Sequence, residues 1–247
     1  MKQFTVTTAA GKRLIGKALA ASPEIQAVLA KGTLVIIAGT TNGYVAEEIL
    51  STLGQGEGFT REGFRRGVTV APGNKAGTFD FPGDVVIVDG EWQRGKTILD
   101  VADDLKEGDI VLKGANAFDP YGQPAVQIGH HSGGTILAAV PAVIGRRVRL
   151  VVPVGLEKRV MEDVNDLALL VNAPGGSGPR LYPMPGEIFT ELDAITQLTG
   201  AEVHLVAAGG ICGAEGSYWF GITGTEEEVE AAGELIRSVA KEPPCVV

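Results

Sequence analysis

Cysteine is almost missing from this chain: Cys212 and Cys245 are the only two among 247 residues. Two widely spaced cysteines make neither a disulfide framework nor a metal-ligand pair, so core burial has to stabilise the fold. Positive charge is also scarce. The 21 Lys and Arg are scattered against 30 Asp and Glu, for a net charge of −9. A nucleic-acid backbone is gripped by concentrated positive charge, so nucleic acid is not an expected partner. No apolar run approaches the roughly 18 residues of a membrane span. The start, Met1-Lys-Gln-Phe-Thr-Val6, lacks the apolar core of a signal peptide. No membrane association is expected, and the expected location is the cytoplasm. Histidine occurs three times, as His130, His131 and His204. Neighbouring side chains on a helix point about 100° apart, and no carboxylate or second histidine stands at ligand spacing, so no metal and no cofactor is expected.

What the chain has in excess is glycine, 35 residues. That is about twice the usual share of roughly 7% and predicts many tight turns. A hydrophobic content of 45% is enough for a sizeable core. After a short start, Ile15, Leu19, Ile25, Val28 and Leu29 recur at helical intervals, with a break at Ser22-Pro23. Thr33–Ala38, Arg66–Ala71, Asp84–Val88, Asp109–Leu112 and Val148–Val154 are short apolar runs of the kind buried on both faces of a parallel sheet. Helical stretches are predicted at 44–53, 96–105 and 133–144, with Pro141 kinking or ending the last. Strands alternating with helices predict βαβ units. Ala173-Pro-Gly-Gly-Ser-Gly-Pro179 has the composition of a linker. Beyond it, a helix over 187–198, strands over 201–208 and 217–223, and an amphipathic helix over 226–239 predict an α-β-β-α module. The expected fold is α/β: a Rossmann-like three-layer parallel sheet over residues 1–175 and a small C-terminal antiparallel α/β module over 180–247.

In such a sheet, polar turns that follow strands collect at one edge, where small ligands bind. Gly39-Thr40-Thr41-Asn42-Gly43 lies between a strand and a helix. Its backbone N–H groups and hydroxyls suit an anion, although Thr or Asn there also serves as a plain helix cap. Asp89-Gly90 ends a strand; the carboxylate is a candidate acid/base, while Asp-Gly is equally a common turn pair. Lys113, directly after a strand and followed by Gly114, offers an ammonium to a phosphate or carboxylate. Asn116 and Asp119 are candidate ligand contacts or turn caps. His130 is a candidate for facing the ligand or capping the helix that follows.

These motifs in order resemble the superfamily of ribose-5-phosphate isomerase A, glucosamine-6-phosphate deaminase and coenzyme A transferases. The resemblance covers roughly residues 10–160. The stretch Gly114-Ala-Asn-Ala-Phe-Asp-Pro-Tyr-Gly-Gln-Pro-Ala-Val-Gln-Ile-Gly129 also resembles a block of methylthioribose-1-phosphate isomerase and its initiation-factor 2B relatives. The resemblance implies phosphate on Gly39–Gly43, Lys113 neutralising it or polarising a carbonyl, and Asp89 as acid/base. The chain departs from those patterns at Trp92, Asn116, Gly122 and Gln127, where the related enzymes carry charged residues. An amide at position 116 cannot abstract a proton from carbon. Coenzyme A transfer needs a nucleophilic glutamate, for which only the glycine-flanked Glu57 and Glu215 offer themselves. The expected function is binding and isomerisation of a sugar phosphate or similar anionic metabolite, in a homo-oligomer. The alternative is a non-catalytic ligand sensor or regulatory protein on the same fold, with coenzyme A transfer behind both.

Overall fold

The computed structural model describes residues 1–67, 69–73, 77 and 80–245. Its centre is a six-stranded sheet in the order β10-β8-β5-β2-β3-β4. These strands are β2 (Thr33–Ile36), β3 (Val85–Val88), β4 (Glu91–Trp92), β5 (Ile110–Leu112), β8 (Arg149–Pro153) and β10 (Glu187–Phe189). Leu34, Val35, Ile36, Val86, Ile87, Val111, Leu112 and Val152 have no exposed surface, as strands covered on both faces require.

The four strands β2, β5, β8 and β10 run parallel. The sheet is nevertheless mixed, because β3 pairs antiparallel with β2, Thr33 opposite Val88 and Ile36 opposite Val85. β4 returns antiparallel to β3 through a two-residue hairpin. Asp89 and Gly90, with φ of 48° and 83°, both adopt the left-handed conformation that such a tight hairpin demands. Asp-Gly therefore stands here for a turn reason.

Helices α1 (Thr8–Ala21) and α2 (Pro23–Ala30) flank the Ser22-Pro23 break, and α3 (Thr40–Thr52) begins four residues earlier than its apolar spacing indicated. The expected helix over 96–105 shrinks to α4 (Ile98–Val101). The helix expected over 133–144 becomes α5 (Gly134–Val140), which Pro141 turns into a π-helical turn, Pro141–Gly145. The strand expected over 66–71 is not formed by its described residues, and Val68 lies outside them. Of the loop expected after it, Asn74 also lies outside the described residues.

A second sheet holds β6 (Ala117–Phe118), β7 (Pro124–Ile128) and β9 (Arg180–Pro183), all antiparallel. The third sheet has the order β1-β12-β11, built from β1 (Lys2–Val6), β11 (Glu202–Gly209) and β12 (Ser217–Thr223). Helices α7 (Glu191–Thr199) and α8 (Glu226–Val239) complete the α-β-β-α order expected near the C-terminus.

The boundary expected at 175–180 does not divide these units. The glycine-rich stretch joins α6 (Val164–Val171) to β9, and both β9 and β10 then pair with strands from the first half of the chain. Conversely, β1 pairs along its whole length with β12. One hydrophobic cluster runs from Leu34 and Val111 in the large sheet to Phe220 in the small one and Ile236 on α8.

Helix α1 joins the two, packing on α3, α7 and α8. Gly16 is the point of closest approach: a Cβ there would stand 2.9 Å from the carbonyl oxygen of Tyr44. Gly16→Ala should lower stability by about 1–3 kcal/mol through overpacking, in spite of alanine's better helix propensity. Urea unfolding checks this. An unchanged midpoint would show that α1 and α3 part without cost.

Candidate functional site

A charged or polar group follows each parallel strand. Gly39-Thr40-Thr41-Asn42 comes after β2, Lys113 after β5, Glu157-Lys158 after β8, and Glu191 after β10. Parallel strands end on one side, so these residues share the carboxyl edge of the sheet. Because β3 runs the other way, its first neighbour, Asp84, also lies at this edge.

Asp84 is fixed from three directions. Its side chain has no exposed surface. Oδ1 accepts from the N–H of Ala38 at 2.9 Å and Oδ2 from that of Ile98 at 2.8 Å. The Arg66 guanidinium donates to both oxygens, at 3.0 and 2.9 Å. Asn42 clamps the adjoining strand ends, its amide nitrogen donating to the carbonyls of Ile37 (2.7 Å) and Leu112 (3.0 Å).

The first turn of α3 has no side-chain cap. Its N–H groups therefore keep the positive end of the helix unneutralised. Thr41 Oγ1 and Asn42 Oδ1 are buried there without a hydrogen-bond partner. The helix-cap alternative for Thr40–Asn42 is not what this loop does.

Lys113 is half-buried, and the only hydrogen bond its ammonium makes among the described residues is to the carbonyl of Gly114 at 3.1 Å. Burial and then the nearby Lys158 push its pKa down to about 8; Asp84 pulls weakly the other way, and Arg66 adds to the depression. Lys158 donates to the carbonyl of Ala115 at 2.9 Å. Burial lowers its pKa as well, offset in part by Glu157.

The small sheet and α1 close over the β8 end. Lys12 pairs with Glu157 at 2.9 Å, and the Tyr218 hydroxyl donates to the same carboxylate. Burial works against ionisation of Glu157, but Lys12 and Lys158 outweigh it and hold the group below the usual carboxylate range. Glu191 lies fully buried beside this group. Its Oε2 accepts from the N–H of Leu156 at 3.0 Å, and Oε1 has no partner. Burial, then the charge of Glu157, raise its pKa to about 7. A Cβ on Gly11 would lie 2.6 Å from that oxygen, so only glycine fits over it.

The residues expected from sequence separate into two places. Gly39–Gly43, Lys113 and Gly114 share the carboxyl edge. Asp89 and Gly90 do not: the antiparallel direction of β3 carries them to the opposite end, where exposed Asp89 accepts from the N–H of Gly32 at 2.9 Å. Asp89 and Lys113 therefore do not form one acid/base pair. Asp119 is buried as a turn organiser, accepting from the N–H groups of Tyr121, Gln123 and Val164. Asn116 accepts from the N–H of Gln127 and ties the same hairpin. His130 lies exposed in the loop before α5, its ring against His131, beside a cleft of about 340 Å³ that Arg180 and Tyr182 also line. A second cleft, about 440 Å³, lies at the amino ends of the strands, where Arg149 is already paired with Glu24 and Glu187. Glu57 and Glu215 are exposed.

Lys12, Arg66, Asp84, Glu157, Lys158, Glu191 and Tyr218 were not singled out from sequence. A usable signal existed for two of them: Glu157-Lys158 is a charge pair directly after a buried apolar run.

No family model matches the chain, and neither does any curated protein or solved structure. Among the described residues, no helix is long and apolar enough to cross a membrane, and no cluster of His, Cys, Asp and Glu is arranged to hold a metal ion.

The buried Glu191 has a measurable consequence. Its pKa rises from 4.5 to about 7 on folding, so folding takes up a proton between those values. The stability it contributes is fully present below about pH 4.5 and lost as pH rises through about 7. Glu191→Gln should remove this decline, a gain at pH 8 relative to wild type of up to about 3 kcal/mol. Parallel pH–stability curves for the two proteins would refute the assignment.

Proposed function

We propose that the protein binds a small anionic metabolite of the sugar-phosphate class at the carboxyl edge of β2, β5 and β8. One observation carries this reading. The carboxylate whose charge acts on Lys113, that of Asp84, is already committed to Arg66 and two backbone N–H groups, so Lys113 has no ion-pair partner among the described residues. Lys158 adds a second cation, and the uncapped start of α3 adds backbone donors. A net-negative protein that concentrates unneutralised positive charge at one edge attracts an anion there. The phosphate group would rest on Gly39–Gly43, with Lys113 and Lys158 alongside it.

The same reading treats the sheet as a Rossmann-like core with β3 and β4 added antiparallel, on the pattern of the sugar-phosphate isomerase superfamily. A cytoplasmic setting and a homo-oligomer belong to the same proposal.

The non-catalytic sensor is the second reading, and a specific observation favours it over isomerisation. Proton transfer at carbon needs a free carboxylate or equivalent base beside the ligand. Asp89 stands at the other end of the sheet, Asp84 is saturated with donors, Glu157 is held by Lys12 and Tyr218, and Glu191, though not fully paired, has no exposed surface from which to meet a ligand.

Calorimetric titration with ribose 5-phosphate separates these possibilities. Lys113→Met should weaken binding at least tenfold, about 1.4 kcal/mol, whereas Asp89→Asn should leave it unchanged. Solvent-proton exchange into the bound sugar, followed by NMR, then distinguishes an isomerase from a sensor. Equal binding by wild type and Lys113→Met would remove the proposed site.

A further inference from the structure

We propose that Lys113 is a nucleophile that forms an imine with the carbonyl carbon of a small phosphorylated aldehyde or ketone. This rests on the anion site described above and specifies the ligand that site takes.

The geometry separates Lys113 from the other cations of the edge. Arg66 is committed to Asp84 by two hydrogen bonds. Lys12 is paired with Glu157. Lys158 donates to Ala115 and has Glu157 and Glu191 acting on it. Neither Lys113 nor Lys158 has an ion-pair partner among the described residues, but two carboxylates act on Lys158, whereas the one that acts on Lys113 is Asp84, already committed to Arg66, and a single carbonyl holds the Lys113 ammonium. It is half-buried, so a ligand can reach it. Its backbone is rigid, with the N–H donating to Val151 across the sheet at 3.1 Å.

The anion-binding elements stand beside it. Ile36 pairs with Leu112, so Lys113 is level with Ile37, and α3 begins three residues after Ile37. Adjacent strands are about 4.8 Å apart, the scale of a three- or four-carbon chain. A phosphate on the first turn of α3 would leave the other end of such a ligand near the amine.

The electrostatics favour the reactive form. An ordinary lysine is almost wholly protonated at neutral pH. With its pKa lowered to about 8, Lys113 is unprotonated in roughly a tenth of molecules at pH 7. Desolvation and neighbouring cations are the usual means of activating an amine for carbonyl chemistry.

The step balances without an oxidant or reductant. The amine nitrogen bonds to the carbonyl carbon, and a proton passes from nitrogen to the carbonyl oxygen to give a carbinolamine. The carbon–oxygen bond then breaks. Both amine hydrogens leave with that oxygen as water, and a carbon–nitrogen double bond remains.

Glyceraldehyde 3-phosphate with cyanoborohydride is the direct probe, because the hydride converts an imine into a stable secondary amine that peptide mass mapping locates. The expected result is one adduct per chain, on Lys113. Its rate should rise with pH through a midpoint near 8, and glycerol 3-phosphate should suppress it. Lys113→Arg keeps the charge and should lose the adduct while melting normally. Calorimetry with glycerol 3-phosphate, which has no carbonyl, tests the underlying anion site separately. Binding of glycerol 3-phosphate without an adduct on Lys113 overturns the imine and leaves the anion site standing. Labelling spread over surface lysines, and unchanged in Lys113→Arg, also overturns the imine. Neither binding nor adduct overturns both.

Discussion

A buried carboxylate has to be satisfied by donors, and the way Asp84 is satisfied organises the candidate site. Its two oxygens receive the N–H groups of Ala38 and Ile98 and share one nitrogen, Nη2, of the Arg66 guanidinium. One side chain thus ties the end of β2 to the start of β3, to the beginning of α4, and to the segment that carries Arg66. It also sets the charge balance. Because Asp84 and Arg66 neutralise each other, Lys113 after β5 is left near an uncapped helix start with no ion-pair partner among the described residues. Without this arrangement, Lys113 would have a ready ion-pair partner and little reason to meet a ligand.

The second constraint lies where the two ends of the chain meet. β1 completes the C-terminal sheet, and α1 leads back from it over the large one. The joint is polar: Lys12 from α1, Glu157 and Lys158 after β8, Glu191 opening α7 and Tyr218 from β12. Complete burial, and then the charge of Glu157 in the same cluster, make Glu191 hold its proton to higher pH. Gly11 permits the close approach of α1 that seals this cluster.

Much of the fold was legible in the sequence, since continuous apolar runs and helical periodicity report burial. The runs expected at Thr33–Ala38, Asp84–Val88 and Val148–Val154 contain the strands Thr33–Ile36, Val85–Val88 and Arg149–Pro153, and the amphipathic repeat over 226–239 is a helix with those bounds. Strand direction was not legible. An apolar run reads the same whether its neighbour is parallel or antiparallel, and β3 runs antiparallel to β2. That one reversal moved Asp89 out of the site and brought Asp84 into it. Short strands such as β6 and β9, two and four residues long, were missed because they carry too few positions to show a period. The glycine- and proline-rich stretch at 173–179 looked like a domain linker because its composition marks a loop, and composition says nothing about which sheets the loop joins. Lys113 was singled out because it stands alone between a strand and a glycine. Glu191 was hidden inside a stretch read as continuous helix.

The central claim is that the anion site lies at the carboxyl edge of β2 and β5. Amide chemical-shift mapping during titration with ribose 5-phosphate tests it most directly. The expected result is a saturable set of shifts at Gly39–Gly43 and Lys113-Gly114, with Asp89-Gly90 unmoved. Shifts centred on Asp89-Gly90, or on the cleft beside His130, would contradict the account.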